Sequence, residues 1–160
     1  MYRTKWGVVI NRYLNITIGL LSIILLAGCI GENYDFSPPT VMVFTPDGDD
    51  LQETLAEAKI DWKYDEKYNK ETEDIQALAD MQNIIYFKPR ELVDLNMENG
   101  TFDPNKIKIS VMQNENKIEL EYFKVNQTFN LPTEKGKYIL VVDIETDKGN
   151  AQYVGNIVIQ

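Results

Sequence analysis

The sequence predicts an all-β fold, an antiparallel sandwich or barrel, and three observations predict it. Lys106-Ile107-Lys108-Ile109-Ser110-Val111 and Lys117-Ile118-Glu119-Leu120-Glu121-Tyr122 alternate strictly, with the turn residues Gln113-Asn114-Glu115-Asn116 between them. Tyr138, Leu140, Val142 and Ile144 share one face of a further strand, with Asp143 and Glu145 on the other. Across the turn Asp147-Lys148-Gly149-Asn150, the residues Tyr153, Gly155, Ile157 and Ile159 line a last strand. Period-two alternation with one polar face describes half-exposed strands of an antiparallel sheet. Several short strands separated by turns at this spacing form sandwiches and barrels. On this reading Ser110 faces solvent between Lys108 and Met112.

The remaining elements are read in chain order. Thr40-Val41-Met42-Val43-Phe44 is β-branched and short, a first strand, followed by turn chemistry at Pro46-Asp47-Gly48. Leu51 to Trp62 carries a helical spacing (Leu51, Leu55, Ala58, Trp62), but the preceding Asp-Gly turn favours a returning strand. Tyr64 to Met81 is the most polar stretch; Thr72 or Asp74 would cap a short helix within 71–82, the alternative being an irregular excursion. Ile84-Ile85-Tyr86-Phe87 and Leu92-Val93-Asp94-Leu95 flank Pro89-Arg90 and read as two strands or one bent strand. Proline confines that point to an edge or a turn.

Composition excludes several classes of activity. The 160 residues include 16 Lys+Arg, 25 Asp+Glu, no His and one Cys, for a net charge of −9. Without His there is no imidazole-based triad and no common zinc site. One Cys allows neither an internal disulfide nor a Cys-x-x-Cys motif. The acidic excess falls mainly between residues 47 and 98. Such a balance opposes nucleic-acid binding, which needs a basic face, and it repels anionic headgroups.

The first 28 residues differ from the rest. Arg3, Lys5 and Arg12 precede an apolar run from Tyr13 to Leu26, and no acidic residue occurs among them. The run is shorter than the ~20 residues that cross a bilayer and has the layout of a secretory signal peptide. The alternative, one uncleaved helix from about Val8 to Ile30, is interrupted by Arg12. Leu26-Ala27-Gly28-Cys29 resembles the lipobox of bacterial lipoproteins at all four positions. That resemblance implies recognition of Leu26, Ala27 and Gly28 by a signal peptidase and cleavage before Cys29. It also implies a diacylglycerol thioether on Cys29 Sγ and a location on the outer face of the plasma membrane. Each buried CH₂ contributes ~0.8 kcal/mol, so two acyl chains give a durable anchor. Cleavage would remove three basic residues and leave a still more acidic chain. Residues 1–28 are thus expected to be signal peptide, 29–39 a tether and 40–160 the β domain. Within the tether, Ile30 to Pro39 lacks apolar periodicity and spans at most ~35 Å.

Glu134-Lys135-Gly136-Lys137-Tyr138-Ile139-Leu140 resembles the Asp-x-Gly-x-Tyr-x-Cys sequence that leads into strand F of immunoglobulin-like domains, with Leu140 in place of the cysteine. The resemblance implies an immunoglobulin-like sandwich in which the Tyr138 hydroxyl bonds to upstream backbone and apolar packing replaces the inter-sheet disulfide. Trp62 is a candidate for the inter-sheet tryptophan. The chain is similar as well to small lipoproteins of Gram-positive, Bacillus-type bacteria, through Pro38-Pro39-Thr40-Val41-Met42-Val43 and the terminal Gly-x-Tyr strand and hairpin.

Little else carries chemistry. Ser37 and Ser110 lack a Ser-x-x-Lys context, and no Gly-rich phosphate loop occurs. Asp47, Asp49 and Asp50 are candidate Ca²⁺ ligands, although the twelve-residue calcium-loop pattern is not met. Asp61, Asp65 and Glu66 are a weaker set. Tyr64, Tyr68, Tyr86 and Phe87 are candidates for an aromatic platform. Asn99-Gly100-Thr101 and Asn126-Gln127-Thr128 mark loops. The expectation is a lipid-anchored, extracytoplasmic, non-catalytic binding module for an envelope protein or small ligand. A calcium- or small-ligand-binding sensor is the alternative. An envelope hydrolase built on a carboxylate pair is a third reading.

Overall fold

The computed structural model describes residues 37–44, 52–63, 67–99, 104–114 and 116–160. They form two packed β-sheets, as the alternation predicts. The smaller sheet has the order β2-β1-β6-β10-β9, from β1 (Thr40–Phe44), β2 (Glu53–Thr54), β6 (Leu92–Glu98), β9 (Tyr122–Phe123) and β10 (Thr128–Asn130). The larger has the order β4-β3-β12-β11-β7-β8. Its strands are β3 (Ala56–Lys63), β4 (Lys67–Glu71), β7 (Pro104–Gln113), β8 (Asn116–Leu120), β11 (Gly136–Thr146) and β12 (Gly149–Ile159). β5 (Ile84–Phe87) pairs with β12 beside β3. One helix, α1 (Ile75–Asp80), falls inside the predicted 71–82 window.

The main core lies between the sheets. Trp62, Phe129, Tyr153, Leu140, Ile109 and Val93 are each at most 2% exposed and belong to one cluster. The predicted inward set Tyr138, Leu140, Val142 and Ile144 is buried there, as is Tyr153 with Ile157 and Ile159. Trp62 sits on β3; within the described residues from 52 onward the strand reading holds, though as two strands, β2 and β3, in different sheets. The Tyr153 hydroxyl donates to Pro39 O at 2.6 Å and so ties the entry of the chain to the centre of the core. Burial pushes the Tyr153 phenol far up from its ordinary value, so it remains a donor.

The structure departs from strict one-sided alternation in three places. Ile139, Val141 and Val154 point away from the main core yet are buried, because α1 covers that face with Ala79, Ile75 and Leu78. Asp74 caps α1, its carboxylate accepting from Ala77 N at 2.9 Å. Lys137 Nζ lies 2.7 Å from Asp80 Oδ1 and joins β11 to the last turn of α1.

Ser110, expected in solvent, is only 2% exposed. It pairs with Glu119 on one side and Val141 on the other. Lys117 and Asp143 stand at the diagonal corners of that lattice and meet at 3.4 Å, so their ion pair crosses above the serine. The Ser110 Oγ has no hydrogen-bond partner.

Third, the predicted strand Lys117–Tyr122 divides at Glu121: β8 stays in the larger sheet, and β9 crosses to the smaller one. Leu120 and Tyr122 both remain packed on the core across that corner.

β12 organises the larger sheet. One flank pairs with β11 in unbroken antiparallel register, from Gly136↔Ile159 to Glu145↔Asn150. The other flank is shared. β3 runs antiparallel along Gly149–Val154, and β5 runs parallel along Asn156–Ile159, a parallel pair in an otherwise antiparallel fold. The change occurs at Gly155, where a Cβ would lie 2.6 Å from Leu55 Cδ2. Glycine leaves room for Leu55, the residue at which the chain passes from β2 in one sheet to β3 in the other. Gly149 meets two demands: its φ is +147°, and a Cβ would come 2.1 Å from Asp61 O.

Candidate functional site

The edges of a sheet are where backbone donors and acceptors are left unpaired, and proteins blunt them with charge or brevity. β2 and β9 are two residues each. β4, Lys67-Tyr68-Asn69-Lys70-Glu71, carries three charges and is fully exposed, and β8 carries Lys117 and Glu119. β5 has neither protection. Its sequence is Ile84-Ile85-Tyr86-Phe87, uncharged, and β12 is its one ladder partner among the described residues.

The pairing geometry fixes which backbone groups of β5 are free. In a parallel ladder alternate residues direct both N–H and C=O to the same neighbour. Phe87 O accepts from Gln160 N at 2.9 Å, which places Phe87, and Ile85 two residues before it, toward β12. Ile84 and Tyr86 therefore present their N–H and C=O groups outward. Their side chains are 43% and 58% exposed, and Met81, just before the strand, is 75% exposed. Ile85 and Phe87 turn inward and pack on the core.

A groove of about 570 Å³ runs along this edge. Ile84, Ile85, Tyr86 and Phe87 supply its apolar part, and Glu53, Lys88 and Glu91 supply the charges. The Glu91 carboxylate accepts from the Lys88 backbone N–H and closes the turn through Pro89. Arg90 takes a positive φ of 62° in that turn, as the proline there foretold an edge or turn. Sequence reasoning found Tyr86 and Phe87 as aromatics but did not find Ile84, Glu53 or Glu91. The sequence shows a four-residue apolar strand without a gatekeeping charge, but such a strand suits the centre of a sheet as well as its edge.

The other sequence candidates are placed as follows. Leu26, Ala27, Gly28 and Cys29 lie outside the described residues, as do Asp47, Asp49 and Asp50, and Tyr64, Asp65 and Glu66. Asp61 is on β3 and pairs with Lys63 at 3.3 Å. Among the described residues no group of three His, Cys, Asp or Glu is gathered as a metal site.

The described part of the aromatic platform is not assembled. Tyr68 lies on β4, donating to Glu57 Oε2 at 2.9 Å, and Phe87 lines the groove from a buried position, so Tyr86 is the exposed aromatic there. The bond to the Glu57 carboxylate, with a lesser part from burial, holds the Tyr68 phenol above its ordinary value. Asn99 and Gln127 have positive φ, consistent with the loops read at those positions. Among the described residues no helix is long and apolar enough to cross a membrane.

In comparison with known proteins, no family model, no curated protein and no solved structure matches the chain.

Proposed function

We propose that this chain is a lipid-anchored, extracytoplasmic protein whose β-sandwich is a non-catalytic interaction module, and that the β5 edge is its binding surface. The observation that carries the binding part is the contrast of edges: β4 and β8 are charged, β2 and β9 are minimal, and β5 is apolar, exposed and set in a groove. The anchor rests on the lipobox-like Leu26-Ala27-Gly28-Cys29 after a basic and apolar leader.

An immunoglobulin-like reading of the sandwich is supported by two features. The Tyr138 hydroxyl donates to Glu134 O at 3.1 Å, as a tyrosine corner requires. β11, which carries Tyr138, lies between β7 and β12, opposite a sheet ordered β1-β6-β10-β9. In this reading β2, β3, β4 and α1 are an addition between two segments of the first strand, β1 and β5.

The test uses intact cells. A photo-cross-linking phenylalanine analogue is placed at position 86 or, as control, at position 118 on β8. A discrete adduct at 86 and none at 118 is the expected result; equal labelling at both would remove the β5 edge as the binding surface. In parallel, Cys29→Ser is expected to lose the lipid mass and leave the membrane fraction. Unchanged mass, apart from the substitution, would overturn the anchor without touching the groove.

A further inference from the structure

We infer that the β5 groove takes an extended segment of another protein, apolar residues alternating with Lys or Arg, which adds to the larger sheet as a further strand. This rests on the β5 edge being the binding surface and specifies what occupies it.

Backbone geometry gives the first argument. Ile84 and Tyr86 offer outward N–H and C=O groups at the repeat of a β-ladder, and no hydrogen bond among the described residues engages them. A small apolar ligand would leave those groups unused, whereas an extended chain pairs them. Exposed Ile84 and Tyr86 then offer contact to alternate side chains of the added strand.

Charge gives the second. Glu53 and Glu91 outnumber Lys88 in the groove, and the whole chain carries −9. Basic residues in the occupant meet the groove carboxylates and are drawn by the overall field.

Charge also argues against a second copy of this chain. Two such copies, each carrying −9, repel.

The experiment uses the full chain in neutral detergent and three synthetic ten-residue probes. The first alternates Val and Lys, the second is the same peptide with alternate amides N-methylated, and the third has Glu in place of Lys. Binding is read by fluorescence anisotropy. The Val/Lys peptide is expected to bind, and the other two at least tenfold more weakly.

Tyr86→Pro removes the outward N–H while sparing every bond to β12, and is expected to weaken the Val/Lys peptide at least tenfold. Ile118→Lys on β8 is expected to leave it unchanged. Should Tyr86→Pro fail to fold by circular dichroism, Tyr86→Lys serves instead, placing a like charge against the basic probe.

Equal binding of the N-methylated peptide would overturn strand addition, and equal binding of the Glu peptide would overturn the basic occupant. No binding of the Val/Lys peptide at millimolar concentration would overturn the inference as a whole. A dimer in sedimentation that Tyr86→Pro dissolves would assign the edge to a second copy and overturn it too. Each of these outcomes is separable from failure of the groove itself, which the position-86 cross-link reads independently.

Discussion

The two flanks of β12 are built on different principles. Toward β11 the register is continuous over ten residue pairs and closes through a short turn. Toward β3 and β5 it is interrupted: a bulge between Gln152 and Tyr153, a break at Gly155, and a change from antiparallel to parallel. The continuous flank is held by local sequence, and its side chains alternate as a ladder demands. The divided flank is held by segments from far upstream, at two glycine-dependent approaches. A sheet can thus keep one side as scaffold while the other accepts an insertion and leaves a short edge for binding.

The largest expected effect tests the divided flank. Gly149→Ala forces a side chain into a backbone contact at positive φ and is expected to destabilise by ~2–4 kcal/mol. Denaturant melts would measure it, and hydrogen exchange should show β3 amides losing protection more than those of β7. Uniform loss across the sheet would erase the contrast between the flanks.

Next comes the continuous flank. Tyr138→Phe removes one hydrogen bond, at 3.1 Å to Glu134 O, and is expected to cost ~0.5–1.5 kcal/mol with the β11–β12 register unchanged by NMR. A shift in that register would mean that the corner, not the ladder, sets the scaffold.

The smallest effect is a pH response of α1. The hydrogen bond from Lys137, with a second from Gln76, holds the Asp80 carboxyl below its ordinary value. A carboxylate lowered in the folded state stabilises at pH above its unfolded value and ceases to do so as pH falls through the lower folded value. The docking of α1 should therefore weaken only below about pH 4, and Lys137→Met should reduce that dependence to the part owed to Gln76. Amide protection of Ala79 across an acid titration is the readout. Identical titrations of parent and variant would assign the acid response to other carboxylates.

The legible part of the fold was the part with local determinants. Alternation at Tyr138–Ile144 and Tyr153–Ile159 placed both central strands, and of the two caps read from the sequence, Thr72 and Asp74, it is Asp74 that caps the helix. The burial of Ile139 and Val141 was less visible, although Tyr138-Ile139-Leu140-Val141-Val142 is apolar throughout, the mark of a strand covered on both faces. Ser110 could not be placed from its own strand, because its cover is an ion pair between two other strands. Nor could the groove be read, since an apolar strand becomes an exposed edge only through its place in the sheet order. Ile84–Phe87 would look the same at the centre.

Gly155 has a consequence for the order of assembly. Ala151 meets Ile144 across a short turn but meets Ile60 only after most of the chain has been brought back. Closure entropy and contact order let the β11–β12 hairpin form before β3 and β5 arrive. Until they do, β12 shows its neighbours a bare edge eleven residues long, where the finished sheet shows four on β5. A methyl group at 155 would obstruct Leu55 and prolong that interval. Self-pairing of incomplete chains would then be a hazard beside the lost packing of Leu55 in the finished fold.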